Sequence, residues 1–274
     1  MTDANATARA ALEAAHPELV ALSHRIYENP ELGYEEVQAA EWLTDVLKGN
    51  GFEVQRGFGD MPTAFVASPG SGPRHVAICA EYDALPGVGH ACGHNVICTA
   101  ALGAAIALKP VAEELGIRLT VLGTPAEEGG GGKIPFIEAG FFEDVHASMM
   151  VHPFPSDDSD PAIIAVQQLN VAYSGRAAHA SGYPWQGINA ADAMVVAQTA
   201  IALMRQQILP TDRIHGIVTK GGDASNIIPD RTTAEYMVRA ATADRLDVLV
   251  DLVTTCFKAG AVATGATLEL AMDV

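Results

Sequence analysis

Basic residues are scarce in this chain. Lys and Arg number 16 against 33 Asp and Glu in 274 residues, a formal charge of −17, with a predicted pI near 4.7. So acidic a surface repels a phosphate backbone, and nucleic acid is not an expected partner, while divalent cations offset the charge wherever carboxylates cluster. Cysteine is also sparse: Cys79, Cys92, Cys98 and Cys256 are too few and too irregularly spaced for a disulfide framework, which points to a reducing, cytoplasmic compartment. Long hydrophobic runs are missing. The longest, Val96 to Leu108, falls short of the roughly 20 residues a bilayer span needs, so no membrane association is expected; its Ala and Gly content suits a tightly packed core helix. The N-terminal stretch MTDANATARAALEAAHPELV has no basic segment followed by an apolar one and does not read as a signal peptide. What the chain does have is 49% hydrophobic residues, enough for a real core.

Two patterns follow each other along it. Leu19, Leu22 and Ile26, then Val37, Trp42, Leu43 and Val46, recur at helical spacing on either side of the break NPELGYEE, predicting helix, turn, helix. Phe52 to Val66 alternates loosely and reads as one strand. The continuous apolar runs His75–Ala80 and Ile117–Gly123 read as strands buried on both faces, a helix between them from about Asn95, a further helix near Ile134–Gly140 and a short strand around Met149. Strand and helix alternating in this way predict an α/β unit with a mostly parallel sheet covered by helices on both faces, whose site lies beyond the carboxyl ends of the strands. From about Gln167 the order becomes βαββαβ, a ferredoxin-like α+β unit. The expected division is 1–165 and 166–274.

The polar residues gather where the apolar runs stop. The stretch EYDALPGVGHACGHN carries Glu81, Asp83, His90, Cys92 and His94; TPAEEGGGGK carries Glu127 and Glu128; VHPFP carries His152. A thiolate and an imidazole two residues apart cannot share a helix face but can converge on one cation in a loop, with Asp83 accepting the other N–H of a ligand imidazole and His90 at most behind the ligands. An isolated Cys-x-His or Glu-Glu is more often a surface turn; three segments meeting at neighbouring strand ends favour a metal site. Adjacent carboxylates in a tight loop point different ways, so one can bind a metal while the other acts as a general base. GGGGK is not a phosphate loop, since Ile134 stands where the magnesium-binding hydroxyl belongs. No nucleophilic triad or elbow is present, and Cys92 beside Glu127 and Glu128 suits a cation better than a covalent intermediate. His24, His75 and His146 are assigned to structure.

Taken in order, HRIYENPELGYEE, EYDALPGVGHACGHN, GTPAEEGGGG, VHPFP, YSGRAAHAS and GGDASNIIPD resemble the amidohydrolases of peptidase family M-twenty, subfamily D, and most closely its aminobenzoyl-glutamate hydrolase and dipeptidase-like branch. The resemblance implies a metallopeptidase core holding two divalent metal ions (zinc, or manganese, cobalt or nickel) and a lid that forms a homodimer. It implies Cys92 as a thiolate bridging both ions, His94 and His152 completing one and Glu128 binding the other. Glu127 would be the general base in hydrolysis of an amide in N-acyl amino acids, aminobenzoyl-glutamate-like conjugates or small dipeptides. His179 would stabilise the oxyanion and Asn226 would contact the small-molecule substrate. Many relatives have Asp where this chain has Asn95, whose amide suits a hydrogen-bonding role in the loop. Family members also return from the lid to complete the core and supply a last histidine ligand, so the resemblance implies an incomplete catalytic domain here. The alternative is a non-hydrolytic ligand-binding or dimerisation protein of the same fold.

Overall fold

Helix α1 (Ala4–Glu28) starts at Asp3, whose carboxylate accepts the Asn5 N–H at 3.1 Å, and closes at Asn29, whose side-chain amide donates to the Arg25 carbonyl at 2.8 Å. Helix α2 (Val37–Gly49) is capped differently. Glu36 stands at its cap position but makes no cap bond; the carboxylate of Glu31 accepts instead, from the N–H groups of Gln38 at 3.1 Å and Ala39 at 2.9 Å. Both helices present leucines and alanines at three- and four-residue spacing to a sheet that follows them.

The computed structural model describes residues 3–159 and 161–273, and the chain divides into two compact units, Met1–Asp157 and Asp158–Val274. In the first, strands β1 (Glu53–Phe58), β2 (Met61–Ser68), β3 (Arg74–Ala80), β4 (Ile117–Gly123) and β5 (Ala147–Met149) form one sheet in the order β1-β2-β4-β3-β5. β3 runs parallel to β4 and to β5, with Cys79 opposite Leu122 and Ile78 opposite Met149. β1 and β2 are an antiparallel hairpin, and β2 is antiparallel to β4. The sheet is therefore mixed rather than mostly parallel, and the stretch expected as one strand is two. A bulge at Gly57 and the turn residues Gly59 and Asp60 interrupt an otherwise continuous alternation and fold it back on itself.

Helix α3 (His94–Leu108) joins β3 to β4, and the short α4 (Lys133–Glu138) joins β4 to β5. On one face Leu19, Leu22, Leu43, Leu47 and Leu102 from α1, α2 and α3 pack with Phe65, Ile78, Leu119 and Val121 of the strands. On the other, Phe136 of α4 stacks on Phe58 with ring centres 4.0 Å apart, over Met61, Ala77, Cys79 and Leu122. Alternate residues of β3 thus enter opposite cores, as a central strand requires. The stretch His94–Val111 has the length and apolar composition of a membrane span, and most of it is buried inside this unit as core.

The second unit starts its sheet with β6 (Ala165–Ser174), followed by α5 (Ala190–Met204), β7 (Arg213–Lys220), β8 (Arg231–Ala240), α6 (Ala243–Thr264) and β9 (Thr267–Asp273). The strand order β7-β8-β6-β9 is antiparallel throughout, the ferredoxin-like βαββαβ arrangement. Asn189 and Thr242 cap the two helices by accepting backbone N–H groups. Ala193, Ala197 and Ile201 of α5 and Leu249, Val253 and Phe257 of α6 cover Leu169, Val171, Tyr236 and Val238.

Candidate metal centre

β3 delivers Glu81 and Asp83 into the interior: they are 2% and 1% exposed, with Tyr82 between them wholly buried. Asp83 ties three segments together. Its Oδ1 lies 2.9 Å from Nδ1 of His94, the first residue of α3, and its Oδ2 accepts the N–H of Glu128 at 3.0 Å. Burial works against charge on Asp83, but the bonds from His94 and the loop N–H groups outweigh it and hold the carboxyl below its ordinary range. Gly93 has φ +87° and a Cβ there would stand 2.9 Å from the Pro153 ring, so a side chain would force apart the segments carrying His94 and His152.

With Nδ1 committed to Asp83, the Nε2 of His94 faces inward. It is buried and has no hydrogen-bond partner among the described residues. Glu81 Oε2 and Glu127 Oε2 lie 3.7 Å from it and Glu128 Oε1 lies 3.8 Å away. Nearby, Cys92 Sγ is 3.5 Å from Nε2 of His152, whose Nδ1–H donates to the Pro153 carbonyl at 2.8 Å and leaves the Nε2 lone pair to accept from the thiol. Two sets of ligand atoms come within 4.8 Å of one another: Cys92, His94 and His152, and Glu81, His94 and Glu127.

The electrostatics of these sets call for a cation. Burial, then Glu128, Glu127 and Glu81, push the Cys92 thiol up to about 12. Burial opposes charge on His94, but Asp83, Glu81 and Glu127 raise its imidazole above the ordinary value. Burial and the neighbouring Glu81 raise Glu127 as well. Imidazole lone pairs, a thiol and three carboxylates face one another, and the Lys133 ammonium, paired with Glu81, brings a single positive charge to them. A divalent ion would satisfy the orphaned Nε2, deprotonate the thiol and relieve the carboxylates. The residues fit a metal.

Cys92, His94, His152, Glu127 and Glu128 are thus gathered by the ends of β3, β4 and β5. The two tight sets take in Glu127 and Glu81 rather than Glu128. Glu81 stands in the same stretch as Asp83, and its place at the end of a buried strand was a signal for it; Lys133 had none, because its pairing depends on how the glycine loop folds. His90 is buried, and that burial, followed by the charge of His94, pushes its imidazole down. His75 serves structure at the other end of β3, its ring between Asp144 at 3.1 Å and the Thr120 hydroxyl at 2.8 Å.

In the second unit His179 and Asn226 are neighbours. The Ala180 N–H donates to the Asn226 carbonyl at 3.0 Å, beside a bridge between His179 and Ile227. Nδ1 of His179 accepts the N–H groups of Gly182 at 3.0 Å and Ser181 at 3.3 Å, so in the neutral ring Nε2 carries the proton.

Residues 167–264 match the family profile described as the peptidase dimerisation domain. A Xaa-Arg dipeptidase of Mus musculus is 43% identical over 94% of this chain and 63% of its own length. A p-aminobenzoyl-glutamate hydrolase component of Escherichia coli is 33% identical over 96% of this chain and 59% of its own. The chain therefore spans about three fifths of the curated relatives it matches. A dinuclear metal-binding peptidase of Bacillus subtilis shares the fold with a TM-score of 0.69 at 21% identity, over 95% of this chain and 74% of that one.

Proposed function

We propose that the chain belongs to peptidase family M-twenty and is the metal-holding unit and lid of a metal-dependent amidohydrolase. The bond cut is an amide joined to an amino acid, as in a small dipeptide, an aroyl-glutamate or an N-acyl amino acid. The names of the relatives, a Xaa-Arg dipeptidase and a p-aminobenzoyl-glutamate hydrolase, support that substrate class. The observation that carries the reading is the buried, unpartnered Nε2 of His94 among Cys92, His152 and three glutamates.

Cys92, His94 and His152 would hold one ion, and Cys92 with Glu128 would hold a second, Glu81 standing by on the same side of His94. A thiolate with two imidazoles favours zinc or another borderline transition ion over magnesium or calcium. Ions bound there supply Lewis acidity to a scissile carbonyl and to water. Asp83 keeps the His94 ring turned so that Nε2 serves as ligand. Glu127, its carboxyl raised by burial and by Glu81, accepts a proton from the attacking water and returns it to the departing amine. His179 presents an Nε2–H donor and Asn226 a side-chain amide, and both are assigned to substrate contacts. The match of residues 167–264 to a dimerisation domain supports a homodimer formed through the second unit. All four cysteines are free thiols, in keeping with a reducing compartment.

The test is metal analysis of the purified chain together with hydrolysis of a panel of dipeptides, N-acetyl amino acids and p-aminobenzoyl-glutamate. Two bound ions per chain and turnover are the expected result. A chain that holds no ion after loading with zinc, or that holds two and cleaves no member of the panel, overturns the reading.

A further inference from the structure

Glu36 is a carboxylate in an unexpected place. It occupies the cap position of α2, where an acidic side chain ordinarily accepts helix N–H groups, yet Glu31 does that work and Glu36 is turned inward, 0% exposed. Its Oε1 accepts the Ala126 N–H at 2.8 Å and its Oε2 accepts the Thr63 hydroxyl at 3.0 Å. The Thr63 carbonyl in turn accepts the hydroxyl of buried Tyr82 at 2.8 Å, between Glu81 and Asp83. Burial pushes the Glu36 carboxyl up, and the bonds to Ala126 and Thr63 oppose that push, so the group is held by its partners rather than by solvent.

Ala126 is itself unusual. It has φ +55°, a conformation that L side chains rarely adopt. It is packed so closely on Gly33 that a Cβ at position 33 would stand 2.8 Å from its own. The Ala126 carbonyl accepts the N–H groups of Gly130 at 2.9 Å and Gly131 at 2.8 Å, closing a tight loop. The far end of that loop is held by Tyr34, whose hydroxyl donates to the Gly130 carbonyl at 2.7 Å and whose backbone also has positive φ, +66°. Between the two fastenings lie Glu127 and Glu128. The segment from Gly33 to Glu36 therefore grips the acidic loop at both ends, and the Glu36 side chain bonds Ala126 and Thr63 rather than Cys92, His94 or His152.

We infer that Glu36 is a positioning residue: its buried carboxylate holds Ala126 in the left-handed conformation and so sets the direction in which Glu127 and Glu128 leave the loop, with Tyr34 fixing the other end. The part of this that concerns turnover rests on the proposed amide hydrolysis; the part that concerns the loop does not. A glutamine at position 36 keeps an oxygen for the Ala126 N–H and offers its NH2 to Thr63, whereas leucine of similar size leaves the Ala126 N–H buried and unpaired.

The experiment compares wild type, Glu36→Leu, Glu36→Gln and Tyr34→Phe as full chains, with and without zinc. Hydrogen exchange of the peptide covering 124–132 is read first, then kcat and KM on the best substrate of the panel. Glu36→Leu is expected to raise exchange across the loop and to lower kcat about 100-fold with KM little changed, the cost of a misaimed catalytic group. Glu36→Gln restores both towards wild type. Tyr34 is exposed and Tyr34→Phe removes only its hydroxyl and the bond to Gly130, so that variant gives an independent reading in the same direction should Glu36→Leu fail to fold. Wild-type loop exchange in both Glu36→Leu and Tyr34→Phe, or a lowered Tm in Glu36→Leu with kcat intact, overturns the positioning role. A wild type without turnover would sink the proposed hydrolysis instead and still leave the loop exchange to decide the role of Glu36.

Discussion

The carboxylate of Asp83 accepts a hydrogen bond from the Nδ1–H of His94 at 2.9 Å, with neither side chain reaching solvent. That bond leaves the other ring nitrogen pointing at Glu81, Glu127 and Glu128. Removing the acceptor lets the ring turn and lose its tautomer. Asp83→Ala is expected to weaken zinc binding about 10–100-fold, the usual effect of removing a carboxylate behind a ligand histidine. Competition with a chromophoric chelator measures it, and an unchanged affinity would show that the His94 ring is held by packing alone.

Metal binding is expected to release protons. In the metal-free protein burial and the neighbouring glutamates push the Cys92 thiol up to about 12, so near neutral pH a cation must displace its proton to reach the sulfur, and the upward shift of the His94 imidazole acts in the same direction. Affinity therefore rises with pH, by about tenfold per unit for each proton displaced. Calorimetry in buffers of different ionisation enthalpy reports the number released. Cys92→Ser should lower that number and flatten the pH dependence, since a serine hydroxyl keeps its proton; an unaltered slope would mean that the thiol is not a ligand.

How far the sequence could be read differs from residue to residue. Cys92, His94 and His152 stood out because polar groups directly after buried apolar runs have few structural reasons to be there. The βαββαβ order of the second unit was equally open, each element carrying its own period and each helix its own cap at Asn189 and Thr242. The hairpin of β1 and β2 was hidden, because a glycine turn inside an alternating stretch preserves the alternation on both sides. Glu36 and Lys133 were hidden more deeply. A glutamate in NPELGYEE and a lysine after four glycines have the look of solvated loop residues. Their partners, Ala126 and Glu81, lie far along the chain and are chosen by the packing of loops.

The second unit carries an acid-sensitive lock of its own. Asp212 accepts from Arg245 Nε at 3.1 Å and from the Leu209 N–H at 3.0 Å, tying the start of β7 to the first turn of α6. The Arg245 hydrogen bond holds the Asp212 carboxyl below its ordinary range. A depressed folded value means that the stabilisation is complete above the unfolded value of about 3.9 and is lost as pH falls through the lower folded value. Melting curves from pH 6 downwards should show wild type losing more Tm than Asp212→Asn over that window. Parallel curves would place the lock outside the cooperative unit.

Glu127→Gln separates proton transfer from metal binding. If Glu127 is the base, the amide keeps the loop and the ion count but lowers kcat by about 10²–10⁴, the usual worth of general base catalysis; equal loss of zinc and turnover would make Glu127 a ligand, the role its place beside Glu81 and His94 also permits. Lys133 supplies a second discrimination. Its charge lowers the Glu127 carboxyl against the upward pull of burial and Glu81. Lys133→Met removes that charge and leaves Glu81 without its ammonium partner, and both changes favour the protonated Glu127. The acid limb of the kcat profile should then move to higher pH. A limb that stays in place would mean that a group other than Glu127 controls it, and that the Lys133–Glu81 pair serves the fold of the glycine loop rather than the proton transfer.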